Sequence, residues 1–149
     1  MGGAGDDTFS LATGGTSGAT VTGGLGADTF AFNVAAITDD DSTSDVDESG
    51  PASAFDLTIT DFNTAEDTFN FGDETVDFAG NFASFGQAQG GISANADTLQ
   101  AVFQQDANTL WVDLNNDGTL NADDAQIMLT GVSSLQITAD ADLGFNSIA

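Results

Sequence analysis

Residues 2–10 read GGAGDDTFS and residues 23–31 read GGLGADTFA, two copies of one nine-residue pattern. Gly2, Gly3, Gly5, Asp7 and Phe9 of the first copy correspond to Gly23, Gly24, Gly26, Asp28 and Phe30 of the second. Glycines at these places permit the backbone angles of a tight turn and let carbonyl oxygens converge. The Asp adds a charged oxygen to that turn, and the residues after it make a short strand with one large side chain turned inward. Repeats of this form bury their apolar residues by stacking, coil on coil. A flexible glycine-rich linker is the alternative, but it gives no reason for Phe to return at the same phase. Between the two copies, 14–22 read GGTSGATVT, a weaker version with Ser17 in place of Gly and Ala19 in place of Asp. Phe9, Leu11, Val21, Phe30 and Phe32 are expected to form the inner stack.

Working outward from the repeats, residues 33–54 change character. They hold Asp39, Asp40, Asp41, Asp45, Asp47 and Glu48 and the one proline, Pro51, and they read as a solvated acidic loop, with a further cation site as the alternative. From 55 onward strands are expected. Phe55, Leu57 and Ile59 alternate with polar residues, as in a half-buried strand, and Phe69 and Phe71 follow with the same period. Residues 81–89, NFASFGQAQ, suit one short helix. LQAVFQQ (99–105) and TLWVDL (109–114) flank Asp106-Ala107-Asn108, a hairpin with a three-residue loop. Val112 and Leu114 are then buried, with Trp111 on the opposite face. The segments 126–129 and 135–138 are two further strands. The expectation is a single all-β domain over 1–149: repeats at 1–32, an acidic loop at 33–54 and a C-terminal β region at 55–149.

Composition narrows the chemistry. The chain has 149 residues with 40% hydrophobic content, enough for one packed core. It has 24 acidic residues and no Lys, Arg or His, so no side chain can answer the negative charge and a compact body repels itself. Bound cations relieve that repulsion because they sit among the charges. Twenty-one of the 24 acids are Asp, whose short side chain suits a tight turn that holds a hard cation with carboxylate and backbone oxygens. With no bases, nucleic acid and anionic membranes are repelled. With no Cys or His, thiolate metal sites, the usual zinc ligand and the usual general base are missing. No stretch is long enough to span a bilayer. The start Met1-Gly-Gly-Ala-Gly-Asp lacks the basic and apolar regions of a secretory signal, so export would need an address elsewhere.

A second oxygen-rich motif lies at 113–124, DLNNDGTLNADD. Asp113, Asn115 and Asp117 stand at positions 1, 3 and 5 of a twelve-residue cation loop. Gly118 takes the sixth position, where a sharp bend is needed. Thr119 offers its carbonyl at 7, Asn121 acts at 9 and Asp124 stands at 12, where the calcium-loop pattern has a bidentate Glu. The preceding TLWV is strand-like, so no helix–loop–helix unit is inferred, and a plain polar turn is the alternative. In the repeats the corresponding metal residues are Gly3, Gly5, Asp7, Gly24, Gly26 and Asp28. Asp7 and Asp28 lie two repeats apart, hence on one side, where they could share a calcium ion.

Together these segments resemble the C-terminal RTX modules of bacterial proteins exported by type I secretion. GGLGADTFAF (23–32) resembles the last repeat leaving such a module, TITDFNTAEDTFNF (58–71) the strand–turn–strand that follows, and TLWVDLNNDGTLNADDAQIMLTGVSSL (109–135) the terminal hairpin and its Asp-rich turn. The resemblance covers almost the whole chain. It implies a short parallel β-roll, two nonapeptides per coil, with calcium between equivalent turns, continuing into a β-sandwich-like stack that ends in a hairpin. It also implies an uncleaved C-terminal export signal and folding after export. The chain departs from the family in its middle repeat and in the three extra residues Leu11 to Thr13, so its array is reduced.

The function expected on these grounds is that of a secreted, extracellular or cell-surface calcium-binding structural protein that folds with calcium and self-assembles head to tail. A calcium-dependent folding and secretion module of a larger exoprotein is the alternative. An enzyme is not expected, because no nucleophile–base constellation can be assembled.

Overall fold

The computed structural model describes residues 1–12, 18–33, 55–72, 76–94, 99–139 and 146–148. The strands are β1 (Thr8–Ala12), β2 (Ala19–Val21), β3 (Thr29–Asn33), β4 (Asp56–Ile59), β5 (Thr68–Asn70), β6 (Val76–Phe82), β7 (Leu99–Gln104), β8 (Thr109–Asp113), β9 (Ala125–Leu129), β10 (Ile137–Ala139) and β11 (Asn146–Ile148), with one helix, α1 (Phe85–Gly91), between β6 and β7. The all-β class expected from the sequence holds. Among the described residues no helix is long and apolar enough to cross a membrane. The proposed acidic loop falls almost wholly outside the described residues, as does the turn of the middle repeat at 13–17.

The strands form two sheets, in the orders β1-β3-β5-β11-β10 and β2-β4-β9-β8-β7-β6. From β1 to β5 the chain alternates between them, and each return lands parallel to the strand before it. Phe9 pairs with Phe30, Phe30 with Phe69, and Val21 with Ile59 on the opposite sheet. This register follows from the period of the inward side chains, since a slip by one residue would turn every Phe outward. β9 then lies parallel to β4, and β8 and β7 fold back antiparallel beside it.

One core joins the two sheets. Phe30, Phe32 and Phe69 from the first meet Leu57, Ile59, Phe103, Leu110, Val112, Ile127 and Leu129 from the second. The Phe9 and Phe30 rings stack at 5.2 Å, and Phe62 stacks on Phe69 at 4.5 Å. Phe9, Leu11 and Val21 belong to this stack as expected but are only half-buried, because their strands β1 and β2 stand at sheet edges. A smaller cluster covers the outer face of the second sheet, where Ala88 and Ile92 around α1 pack on Val102 and Leu120, with Phe82 and Trp111 alongside. Strand β7 is therefore buried on both faces, and Trp111 does face away from Val112.

Three expectations need correction. The helix begins at Phe85 rather than 81, because Asn81 and Phe82 still pair with Phe103 and Gln104 in the sheet. The Asn81 amide also bonds both main-chain groups of Leu135, at 2.9 and 2.8 Å. The hairpin turn runs over 105–108 rather than 106–108, since the last ladder pair is Gln104 with Thr109; Asn108 takes a φ of 50° to close it. The last of the expected strands starts at Ile137, and Leu135 is instead a buried anchor held by Asn81.

Candidate cation sites

The nonapeptide turns stack directly on one another. Leu25 N–H donates to the Gly3 carbonyl at 2.9 Å, and Gly5 N–H donates to the Leu25 carbonyl at 2.7 Å. This approach explains the glycine at 24. Its φ is +119°, and a Cβ there would lie 2.1 Å from the Gly3 oxygen. Gly26 backs onto Gly5 in the same way, at 2.6 Å. Of the glycines named from the sequence, Gly24 and Gly26 thus set how closely the turns approach, whereas a Cβ at Gly3 or Gly5 would meet no heavy atom within 4 Å.

The Asp residues of the turns form a ladder. Asp28 Oδ1 accepts from Asp7 N–H at 2.9 Å, and Asp67 Oδ1 accepts from Asp28 N–H at 2.9 Å. Asp7 Oδ2 accepts from Gly3 N–H in its own turn at 2.9 Å, and Asp67 Oδ2 accepts from Asn63 N–H at 2.8 Å. Asp7 and Asp28 are therefore on one side of the structure, neighbours as the spacing required. Asp67 is a third member that the sequence reasoning missed. The signal was present: Asp-Thr-Phe occurs at 7–9, 28–30 and 67–69. It was hidden because Asp61-Phe62 stands where the earlier turns have a residue followed by Gly. The Asp61 carboxylate accepts from both Gly23 N–H (2.8 Å) and Gly24 N–H (2.9 Å), while Phe62 enters the core.

Asp28 and Asp67 are almost fully buried, at 1% and 2% exposure. Burial pushes the Asp67 carboxyl above the usual carboxylate range, and the neighbouring charges of Asp28 and Asp61 push the same way. Asp28 Oδ2 is buried with no hydrogen-bond partner.

The 113–124 loop closes as a second oxygen-lined turn between β8 and β9. Asp113 and Asp124 are fully buried, at 0% exposure each. Asp113 Oδ2 accepts from Gly118 N–H at 3.0 Å, and Asp113 Oδ1 is buried without a partner. Asp124 accepts from Leu114 N–H at 3.2 Å and from Asn121 N–H at 2.7 Å. Asp117 accepts from Thr119 N–H at 2.7 Å. The Asn121 amide donates to the Thr119 carbonyl at 3.1 Å, and the Asn115 amide donates to Asp117 at 3.1 Å. All six residues named from the sequence thus share one small loop. Two left-handed residues shape it, Asn116 at φ 52° and Gly118 at φ 74°.

Burial raises the Asp113 carboxyl. It raises Asp124 to about 7, with the charges of Asp113 and Asp117 adding to the effect. The sequence did not reveal what holds the loop from outside. Gln89 of α1 accepts from Leu120 N–H at 2.8 Å and donates to the Gly118 carbonyl at 3.0 Å.

Both places pass a test of fit for a hard cation: each presents a buried carboxylate oxygen with no protein donor, in a chain without a basic side chain. Among the described residues no three His, Cys, Asp or Glu side chains gather closely enough to hold an ion alone. An ion in either place would therefore also draw on amide and main-chain oxygens, as calcium does. In comparisons with known proteins, no family model and no curated protein matches the chain.

Proposed function

We propose that the chain is a calcium-binding structural protein of the extracellular space or cell surface, whose fold is completed by the ions it binds. One observation carries this reading. Asp28, Asp67, Asp113 and Asp124 are buried carboxylates, and the chain offers no Lys, Arg or His to answer them. A buried charge with no opposite charge beside it costs several kcal/mol, and a bound cation supplies that charge. Calcium suits the oxygen-only donor set, and it is abundant outside cells.

In this reading Asp7 and Asp28 share an ion between successive turns, backed by the main-chain oxygens around Gly3, Gly5, Gly24 and Gly26. A second ion sits in the 113–124 loop on Asp113, Asn115, Asp117, Thr119, Asn121 and Asp124. The parallel pairing of β1, β3 and β5, and of β2 with β4, supports the finer description of the fold: a short parallel β-roll that continues into a sandwich-like stack and ends in a hairpin. The role is structural rather than catalytic.

Edge strands favour an assembly reading as well. β1 and β2 each end a sheet, and strand edges pair with other strands unless something blocks them. Another coil seated there would lengthen both sheets, whether from a second copy, as in a head-to-tail polymer, or from a larger exoprotein of which this is the folding and secretion module. Sedimentation in millimolar calcium separates the two: a species that stays monomeric at high concentration rejects self-assembly and leaves the module.

The test of calcium binding itself is circular dichroism in chelator, in calcium and in magnesium. Calcium should restore β-structure that chelator removes at low salt. Identical spectra in all three reject the reading.

A further inference from the structure

Helix α1 covers only part of the outer face of the second sheet. Ala88 and Ile92 pack on Val102 of β7 and on Leu120. Phe85, at the start of the helix, meets Trp111 of β8, with ring centroids 5.4 Å apart and planes tilted by 57°. Beyond Trp111 the face lies open. Gln126 of β9 stands beside Trp111 in the ladder. Met128 of the same strand pairs with Thr58 of β4, which pairs with Thr20 of β2. These side chains point outward because their chain neighbours Ile127, Leu129, Leu57 and Ile59 point into the core. Phe85 is 40% exposed and Met128 48%; Thr20 is exposed, and Thr58, Gln126 and Trp111 are half-buried.

The aromatic pair is fixed before any ligand arrives. Trp111 Nε1–H donates to Gln104 Oε1 at 3.0 Å, and the Gln104 amide donates to Asp106 at 2.7 Å. The one polar atom of the indole is thereby engaged, so what Trp111 offers a ligand is ring surface. Beside this wall runs a flat strip whose amide and hydroxyls both donate and accept. Groups held in place in advance lower the ordering cost of binding.

Charge chooses the occupant. With 24 acidic residues and no Lys, Arg or His, the protein repels anionic polymers and a second copy of itself. The apolar groups of the strip, two rings and a thioether, are interrupted by Gln126 and Thr58, unlike the apolar centre of a stable protein interface. A cationic chain is drawn to acids over the whole surface, whereas Phe85, Trp111, Gln126, Met128, Thr58 and Thr20 are uncharged. A neutral sugar chain matches both halves of the strip: its ring C–H groups lie against aromatic faces, and its hydroxyls pair with an amide and with other hydroxyls.

We infer that this open half of the outer face, centred on Phe85, Trp111 and Gln126, is a docking site for an uncharged polysaccharide. The inference goes beyond the calcium reading and does not depend on it, since none of these three residues is assigned to an ion. It attaches the protein to neutral glycan through contacts that salt does not screen.

Affinity electrophoresis in native gels tests it, with millimolar calcium throughout. The gels contain hydroxyethyl cellulose, arabinoxylan, galactomannan or arabinogalactan as neutral polymers, carboxymethyl cellulose as an anionic one, or diethylaminoethyl-dextran as a cationic one. At least one neutral polymer should retard the wild type, and carboxymethyl cellulose should not. Phe85→Ala and Gln126→Ala should each weaken that retardation about three- to tenfold, while Leu25→Ala, at an exposed residue of a repeat turn, should leave it unchanged. Circular dichroism of each variant checks the fold; if Phe85→Ala loosens α1, Gln126→Ala decides alone. Failure of every neutral polymer to retard the wild type overturns the site, even where diethylaminoethyl-dextran binds. Retardation that survives both replacements, or that carboxymethyl cellulose equals, overturns it too. So does a wild-type dimer in sedimentation that Phe85→Ala dissociates, which gives the face to a second copy. The calcium dependence of folding is read separately by circular dichroism, so either account can fail without the other.

Discussion

Replacing Asp124 with Asn should strengthen the metal-free protein and weaken the calcium-loaded one. Asp124 is fully buried, and its carboxyl is raised from 3.8 to about 7, chiefly by burial and then by the charges of Asp113 and Asp117. At about 1.4 kcal/mol for each tenfold change in acidity, that rise opposes ionisation in the fold by roughly 4 kcal/mol. The folded value lies above the unfolded one, so the stability that the protonated group contributes is fully present below about pH 4 and is lost as pH rises through about 7. By pH 8 nearly the whole penalty applies to metal-free protein. Asn cannot ionise and removes it. The same change spoils one of the two N–H bonds that Asp124 accepts, from Leu114 or from Asn121, which costs about 1–3 kcal/mol. The net expectation without calcium is a gain of roughly 1–3 kcal/mol. In calcium the sign reverses, because the variant has lost a charged ligand. Urea unfolding at pH 8, followed by Trp111 fluorescence, measures both cases; sulfate in the chelator arm keeps the metal-free chain compact. If Asp124→Asn is less stable than the wild type by the same amount in chelator and in calcium, the carboxylate is only a hydrogen-bond acceptor and the reasoning fails.

Other perturbations separate the parts of the structure. Gly24→Ala should destabilise far more than Gly5→Ala. Both sites have positive φ, but a Cβ at 24 meets the Gly3 oxygen at 2.1 Å whereas one at 5 meets no heavy atom within 4 Å; equal losses in urea midpoint would contradict the stacked-turn contact. Phe62→Ala should cost about 3–5 kcal/mol in calcium, since the ring is buried and stacked on Phe69, and a loss below about 1 kcal/mol would mean that the core closes over the gap. Gln89→Ala removes both external bonds to the 113–124 loop and should weaken its calcium affinity about three- to tenfold, read from Trp111 fluorescence. An unchanged affinity would show that the loop holds its shape without α1.

The repeats announced their own geometry because a nonapeptide states its turn, its strand and its inward residue together. The pairing of Phe9 with Phe30 needed only the 21-residue offset between copies. The loop at 113–124 was equally readable, since its oxygen-bearing residues and Gly118 keep fixed offsets. Asp67 was not recognised as a rung because recognition leaned on glycine, and the third turn replaces its Gly-Gly with Phe62-Asn63. What that turn preserves is the acceptor for the neighbouring N–H groups, supplied by the Asp61 side chain instead of by a carbonyl. The parallel seat of β9 beside β4 was invisible for another reason: it joins segments about seventy residues apart, and alternation tells a strand which face to bury but not which neighbour to choose. The start of α1 was misplaced although a signal was present: Ser84 is followed three residues on by Gln87, whose side chain accepts from Ala83 N–H at 3.2 Å. Ser84 stands at the N-cap without a cap hydrogen bond of its own, and the pairing that keeps Asn81 and Phe82 in β6 is with Phe103 and Gln104, a long-range contact that local sequence does not state.

The claim that cations complete this fold is tested most directly by the urea midpoint of the wild type as free calcium is varied from chelated to millimolar at constant ionic strength. A ligand that binds the folded state alone raises stability with the logarithm of its concentration, with a slope set by the number of ions bound on folding. The account predicts a midpoint that climbs steadily with calcium, with a slope of more than one ion, and that magnesium does not reproduce. A midpoint that is the same in chelator and in millimolar calcium would contradict it.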